Sequence, residues 1–362
     1  MSLKIIKSRN LPIGLDLGSS TVKMAQLRQS DQEYELVAAD WAQIPADCRA
    51  GIKERLHFLG GAIRKMLANN KFQGSKCILS LPAEATFLQH VKVPKLPPEQ
   101  MDQAVLAELE GKLPFPTSEA MIRHVTAGDV LGEGEPRQEV IVVAVWRTIL
   151  EAYLSMAAHA KLDVVGVNVE PCAIVECFWR IFRRASDAAI ITLFVDIGAS
   201  STQVVLAMGN RIVFARNLAA GGDRIDQAVA AGMHVPIEQA RDVRRDLLGN
   251  AGDPAARDEL YRLLDGTIRS IGDEVTQCLR YYESVFRDSS VARAIFVGGQ
   301  AYDKRLCQAI AQRLNLPAQI GDPLVRIRRI EGAGVNVGLD WRQPQPAWAV
   351  AVGLSLGATM AA

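Results

Sequence analysis

Several things are scarce in this chain of 362 residues. It holds six cysteines (Cys48, Cys77, Cys172, Cys177, Cys278 and Cys307), yet no C-x-x-C pair and no His/Cys cluster at zinc spacing. That excludes a zinc ribbon or thioredoxin-like motif, and scattered reduced thiols of a cytosolic protein are the plain reading. Aromatic residues are only 6%, with no basic-aromatic stripe of the base-stacking kind. Net charge is +1, so no general pull toward nucleic acid or an anionic membrane is expected. Long apolar runs are missing too. The run from Ala188 to Val195 is short and meets Asp196, and the N-terminus lacks a signal-peptide core. The stretch Ala347 to Ala362 is uncharged but falls short of the ~20 residues a spanning helix needs, so a buried helix is expected there. The dispersed histidines His57, His90, His124, His159 and His234 read as surface or core residues rather than ligands or general bases.

What is present suits a globular protein: 49% hydrophobic and 22% charged residues, enough for two or more domains. One stretch stands out. I13-G-L-D-L-G-S-S-T-V-K23 places Asp16 inside an apolar run and follows it with a small, hydroxyl-rich turn. The run I-T-L-F-V-D-I-G-A-S-S-T-Q-V-V-L, Ile191 to Leu206, repeats that grammar about half a chain later. Two halves that open on the same strand-turn-strand imply a duplicated α/β architecture with a cleft between the halves.

The chemistry of one copy follows from its residue types. Gly18 and Gly198 allow a turn where a Cβ would clash. Successive N–H groups of such a turn form an anion nest, and Ser19, Ser20 and Thr21, or Ser200, Ser201 and Thr202, add hydroxyls. That suits a phosphate chain. An aspartate beside phosphate would repel it unless Mg²⁺ sits between, and Mg²⁺ takes one or two carboxylates plus phosphate oxygens. Asp16 and Asp196 facing each other across a cleft fit that role.

The remaining chain reads as alternating elements. Strands are expected over Tyr34–Trp41, Cys77–Pro82, Phe87–Val93, Gln138–Trp146 and Val164–Val169, with helices over Ile52–Asn69, from Pro97–Pro98 to the L-P-F-P turn at Leu113–Pro116, and over Thr148–Ala160. The run of strand, helix, strand, helix and strand over roughly 84–168 suggests a small inserted α+β subdomain. Asp129 to Arg137 reads as its exposed hairpin tip. Glu170, entering the helix Cys172–Arg180, is a candidate for orienting an attacking water, or simply begins the helix. Gly221 and Gly222 permit close approach of backbone to a ligand, or only a tight turn. Val235–Leu248 and Arg257–Arg287 are helical, the latter with Ile268, Ile271, Val275, Leu279, Tyr282 and Phe286 as a core stripe. A strand ends in Gly298, Gly299 and Gln300, where the glycines let backbone lie flat against a nucleotide.

The assembled order resembles the actin/Hsp70/sugar-kinase ATPase superfamily across essentially the whole chain. The position of the insertion and the helix end A-E-L-E-G-K-L-P-F-P, Ala107 to Pro116, are similar to PilM-type type IV pilus assembly proteins, in the branch shared with the division protein FtsA. Glu274 to Glu283 is similar to that family's long helix. The resemblance implies an α/β, actin-like (duplicated RNase H-like) ATPase fold with an FtsA/PilM-type inserted α+β subdomain. It divides the chain into a first subdomain (1–83), the insertion (84–168), a connecting helix (169–187), a second subdomain (188–230 and 291–346) interrupted by a helical one (231–290), and a terminal helix (347–362) returning to the first subdomain. It assigns Asp16–Lys23, Lys23 included, as the first phosphate motif and Asp196–Thr202, with Ala199, as the second, both for ATP with Mg²⁺. It gives Gly298 and Gly299 the adenosine side.

The same resemblance implies a cytoplasmic adaptor with slow or negligible ATP turnover, peripheral to the inner membrane. Its partner would be the short N-terminal tail of a PilN-like membrane protein, bound between the first and inserted subdomains with 84–116 lining the groove. Self-association is allowed as well. One departure matters: where the family places A-E-x-x-K, this chain reads A-R-D-V-R. Arg241 stands at the glutamate position and Arg244 at the lysine, available to pair with phosphate or stack on adenine. Two other readings stand beside the adaptor. A small-molecule kinase would need a sugar-binding cluster that is not evident near Glu170, and a membrane-tethered division filament usually carries a basic amphipathic C-terminal helix.

Overall fold

The computed structural model describes residues 8–30, 33–130, 135–182, 189–248, 253–286, 290–332, 337 and 339–357. Its plan is a sheet made twice. In the first half, β1 (Ser8–Leu17), β2 (Thr21–Ser30) and β3 (Glu33–Gln43) form an antiparallel meander, and β4 (Lys76–Ser80) and β8 (Asp163–Asn168) add in parallel on the other side of β1. In the second half, β9 (Ile191–Ile197), β10 (Thr202–Met208) and β11 (Arg211–Leu218) repeat the meander, and β12 (Val291–Val297) and β13 (Ala318–Ile320) repeat the parallel side. The orders β3-β2-β1-β4-β8 and β11-β10-β9-β12-β13 therefore match strand for strand. The central strands β1 and β9 end in near-continuous apolar runs because both faces are covered by helices.

The helices follow the same duplication. α1 (Ile52–Asn69) lies between β3 and β4, and three helices occupy the equivalent position in the second half: α5 (Gly222–Met233), α6 (Ile237–Leu248) and α7 (Pro254–Val285). α7 buries Ile268, Ile271, Val275, Leu279 and Tyr282 against the second sheet, so the expected core stripe is core. α3 (Arg147–His159) and α8 (Lys304–Leu314) precede β8 and β13. α4 (Glu170–Trp179) and α9 (Ala349–Ser355) pack on each other between the two sheets. That packing is close: a Cβ on Gly353 would lie 1.9 Å from the Ala173 carbonyl oxygen, and one on Gly14 would lie 2.0 Å from that of Ala351. The shared core they build joins Leu27 and Leu36 of the first half to Phe194, Val205 and Ile295 of the second.

Two placements differ from expectation. The stretch 84–168 is not one unit. β5 (Phe87–Pro94), α2 (Pro98–Leu109), β6 (Ala120–Val130) and β7 (Arg137–Trp146) form the separate sheet β5-β7-β6. However, β8 hydrogen-bonds to β4, and Tyr153, Met156 and Ala157 of α3 pack in the first half's core. The local apolar period of α3 and β8 fits either partner, and it is the duplicated sheet that claims them. The other difference is β14 (Ile327–Arg329), which leaves the second half to pair in parallel with β3. The Asp129–Arg137 tip lies partly outside the described residues, as do residues 358–362 of the expected terminal helix.

The insertion rests on the second half through buried polar groups. Glu139 of β7 is fully buried, and its Oε1 accepts a bond from the Tyr281 hydroxyl of α7 at 2.8 Å. His90 of β5 lies 3.0 Å from the same oxygen through Nδ1, and its Nε2 lies 3.0 Å from the Ala215 carbonyl of β11. The ring also packs on Phe214. Among the described residues, no helix is long and apolar enough to cross a membrane.

Candidate functional site: a cleft between two hairpin turns

The β1–β2 and β9–β10 turns meet at the mouth of a cleft of about 790 Å³. Asp16 and Asp196 occupy equivalent places, next to last in β1 and β9. Opposite them in register stand Lys23 on β2 and Gln203 on β10. Both aspartates are buried, Asp16 at 4% and Asp196 at 9% exposure. Lys23 Nζ donates to Asp16 Oδ2 at 3.3 Å and to Thr21 Oγ1 at 2.9 Å. Gln203 Nε2 donates instead to Glu170 Oε2 at 2.8 Å, which brings the start of α4 to the floor of the cleft.

Three carboxyls thus share one poorly solvated space. Burial, then the charge of Asp16, pushes the Asp196 carboxyl well above the usual range. Burial, then Asp196 and Asp16, raises Glu170 in the same direction. An apolar surround favours the neutral acid, and like charges add to it. The opposite charge that would relieve this is a cation. Among the described residues, no group of three or more His, Cys, Asp or Glu side chains forms a protein-only cation cage. A divalent ion here would have to share its ligands with an anion or with water.

The turns themselves can supply the anion site. Across the cleft the Ser200 amide donates to Ser19 Oγ at 3.3 Å, and the Ser200 hydroxyl reaches Glu84. Ser20 and Ser201 line the same space, with Gly18, Gly198 and Ala199. In the second turn, Gly198 donates to the Ser201 carbonyl at 2.9 Å. The first amides of α5, Gly222 and Asp223, donate to the Gly198 and Ala199 carbonyls at 3.0 and 2.7 Å. A Cβ on Gly221 would sit 2.7–2.8 Å from three backbone atoms of that turn. Gly221 is therefore required by chain packing and does not line the cleft, whereas Gly222 does. Thr202 is also drawn away: its hydroxyl donates to the Ala220 carbonyl at 2.6 Å in full burial.

The end of the cleft beside the second turn carries Gly298, Gly299 and Gln300. Gly298 has φ +89°, and a Cβ there would lie 2.2 Å from Asp196 Oδ1. Only glycine meets both conditions. Arg241 and Arg244 line this end, but neither guanidinium is free. Arg241 donates to Asp226 Oδ2 at 3.1 Å and to Asp223 Oδ1 at 2.8 Å. Arg244 pairs with Asp226 and Gln300, and donates to the Gly222 carbonyl at 3.3 Å. The carboxylate missing from α6 is thus present on α5, on two residues that sequence reading passed over. Their signal was in plain view, in the run G-G-D-R-I-D, Gly221 to Asp226. Arg49, Glu84 and Gln203 were also missed. Gln203 could have been found as the register counterpart of Lys23. Arg49 meets Asp223 across the cleft at 3.7 Å, a contact no local pattern announces.

Comparison with known proteins agrees with this fold. The family model for the type IV pilus assembly protein PilM matches residues 14–359. Among solved structures, the chain is similar to the PilM-PilN type IV pilus biogenesis complex at 22% identity and a TM-score of 0.77, covering 96% of this chain and 98% of that one. It is also similar to the ethanolamine utilization protein EutJ from Carboxydothermus hydrogenoformans, at 14% identity and a TM-score of 0.55, covering 96% and 89%. The fold is actin-like: two RNase H-like halves about one cleft, with an inserted α+β sheet. From its opening hairpin to its last described helix, the chain belongs to the family of the type IV pilus assembly protein PilM.

Proposed function

We propose that this chain is a nucleotide-holding adaptor of a pilus inner-membrane platform. It would work in the cytoplasm, peripheral to the membrane, and grip the N-terminal cytoplasmic tail of a PilN-like membrane protein. The observation that carries the nucleotide reading is the meeting of two equivalent turns over Asp16 and Asp196. Mg-ATP fits the residues present. Free turn amides and serine hydroxyls would take the phosphates, and the paired aspartates would hold Mg²⁺ through water. Buried Gln203 Oε1, which has no partner among the described residues, would accept from such a water. The bound ion's chemistry is charge neutralisation: it lets phosphate oxygens and carboxylates share the space. Gly298, Gly299 and Gln300 would back the adenosine, with Asp223 and Asp226 facing its hydroxyls.

Turnover would be slow. Glu170 is the candidate for orienting water at the floor of the cleft. Burial, then its two acidic neighbours, raises its carboxyl well above the usual range, which disfavours the charged base, and Gln203 already holds one of its oxygens. A bound nucleotide need not be hydrolysed to fix a cleft in one state.

The tail reading is supported by the insertion. Phe115 of the L-P-F-P turn stacks parallel to Trp146, with ring centroids 6.3 Å apart. Trp146 is 39% exposed where β7 passes into α3, so the pair borders both the inserted sheet and the first half. Exposed aromatics at such a junction suit an apolar peptide anchor. The experiment is fluorescence anisotropy of a labelled N-terminal peptide from the host's PilN-like protein, titrated with and without Mg-ATP. Saturable binding supports the adaptor. No binding in either condition sinks that part of the reading.

A further inference from the structure

The first turn is held from beneath by an arginine far away in sequence. Arg55 of α1 is 7% exposed, and its guanidinium lies under the β1–β2 turn. Nη2 donates to the Gly18 carbonyl at 2.7 Å and to that of Leu17 at 3.3 Å, and Nη1 donates to that of Ser19 at 3.1 Å. Nε donates to the Tyr153 hydroxyl of α3 at 3.2 Å, which fixes the plane of the fork. The next carbonyl, of Ser20, accepts from the Ile44 amide at 2.8 Å. Every carbonyl from Leu17 to Ser20 is therefore tied down on the side away from the cleft.

The complementary groups are free. The amides of Gly18, Ser19 and Ser20 donate to no acceptor among the described residues. A peptide plane whose oxygen points down presents its N–H upward, so three tied carbonyls leave a row of donors aimed at one anion. The second turn reaches a similar shape differently: backbone amides of α5 hold the Gly198 and Ala199 carbonyls, and among the described residues no side chain donates to them. The two turns are thus alike in outline and unlike in charge. Among the described residues, a buried guanidinium bonds the carbonyls of the first turn itself, and none bonds those of the second.

We propose that Arg55 is a positioning residue for phosphate. It keeps the first turn in its anion-accepting form and places a fixed positive charge beneath it, offsetting Asp16 at the same turn. Arg55 touches no ligand itself. A planar fork with five donors can serve three carbonyls and a hydroxyl at once, which a lysine ammonium with three donors cannot. This inference rests on the nucleotide reading above, and the test separates the two.

The test measures binding of adenosine, Mg-ADP and Mg-ATP by calorimetry for the wild type and for Arg55→Lys, Arg55→Gln and Tyr153→Phe. Amide hydrogen exchange over residues 17–21 is followed in parallel. The expected result is a loss that grows with phosphate number. Arg55→Gln should weaken Mg-ATP at least tenfold and adenosine less than threefold, Arg55→Lys should recover part of the loss, and the protection that saturating Mg-ATP gives the turn amides should shrink while that of α7 stays put. Tyr153→Phe, which keeps the three carbonyl bonds, should stay within threefold of wild type. An equal loss for adenosine and Mg-ATP, or unchanged affinity in Arg55→Gln, would overturn the role of Arg55 and leave the nucleotide reading standing. A wild type that binds none of the three ligands would overturn that reading first, and this inference with it.

Discussion

Asp196→Asn should make the empty protein more stable, and the size of the gain can be worked out. The Asp196 carboxyl is pushed from an ordinary 3.8 up to about 7, first by burial and then by Asp16. At ~1.4 kcal/mol for each tenfold change in proton affinity, that gap is a ceiling of roughly 4 kcal/mol. The folded-state value lies above the unfolded one. The stabilising contribution is therefore fully present below the ordinary aspartate pKa, fades as pH rises, and is gone once pH passes about 7. The pull of Lys23 is already inside that net shift; asparagine keeps the shape and removes the charge, but it must also place an NH₂ donor in a buried site. We expect a net gain near half the ceiling, about 2 kcal/mol at pH 8, or ~3 °C in melting temperature for a chain of this size. Near pH 4 the wild type is itself protonated, and the two proteins should melt together. Differential scanning fluorimetry of wild type and variant from pH 4 to 8, with and without Mg-ATP, decides the matter. Mg-ATP should stabilise the wild type more than the variant, reversing their order. A variant that melts below the wild type at pH 8 without ligand would show that the aspartates do not repel, and the argument would fail.

Other outcomes follow from single contacts. Gly298→Ala should lose Mg-ATP binding and lower the melting point, since φ +89° and a Cβ 2.2 Å from Asp196 Oδ1 cost about 1–3 kcal/mol together; calorimetry and a thermal scan check both. Glu139→Ala should cost about 2 kcal/mol, because it removes the shared acceptor of the part-buried Tyr281 hydroxyl and His90 ring at the contact between the insertion and the second half; limited proteolysis should then release the insertion first. Trp146→Ala should weaken the PilN-like peptide about tenfold, roughly 1.4 kcal/mol, with Mg-ATP affinity unchanged, read by anisotropy and calorimetry on one preparation.

How much of this was legible beforehand depended on distance along the chain. The two hairpins could be read because strand, aspartate, glycine and hydroxyls are neighbours, and a β-turn is settled by four residues. Helix α1 was readable to its last residue, since Leu59, Ile63 and Met66 recur on one face. The allegiance of α3 and β8 was not. A strand's own pattern says which face is apolar but not which neighbour it will pair with, and β8 chose β4 across the whole insertion. The short β14 gave no period at all and is a strand only because β3 offers it an edge. In the site, the glycines and aspartates were visible, and the groups that hold them were hidden. Arg55 looks like any helical arginine until α1 folds under the turn. Arg241 looked unpaired until Asp223 and Asp226 arrived from another helix. Thr202 was read as a ligand contact, and Gly221 as either that or a tight turn, because local grammar cannot tell a turn's lining from its backing.

The packing of α4 against α9 has a mechanical consequence. Because both halves of the sheet plan share that core, with glycine at its closest approaches, the two lobes cannot part there without exposing apolar surface. An opening that keeps this core intact would pivot about it, with the lobes as lever arms. Glu170 begins α4 and so sits on the pivot's own helix, whereas the Arg49–Asp223 pair bridges the lobes across the cleft. A weak, partly solvated ion pair at the end of a long arm holds more torque than its energy suggests. What happens at that rim would set the angle between the lobes.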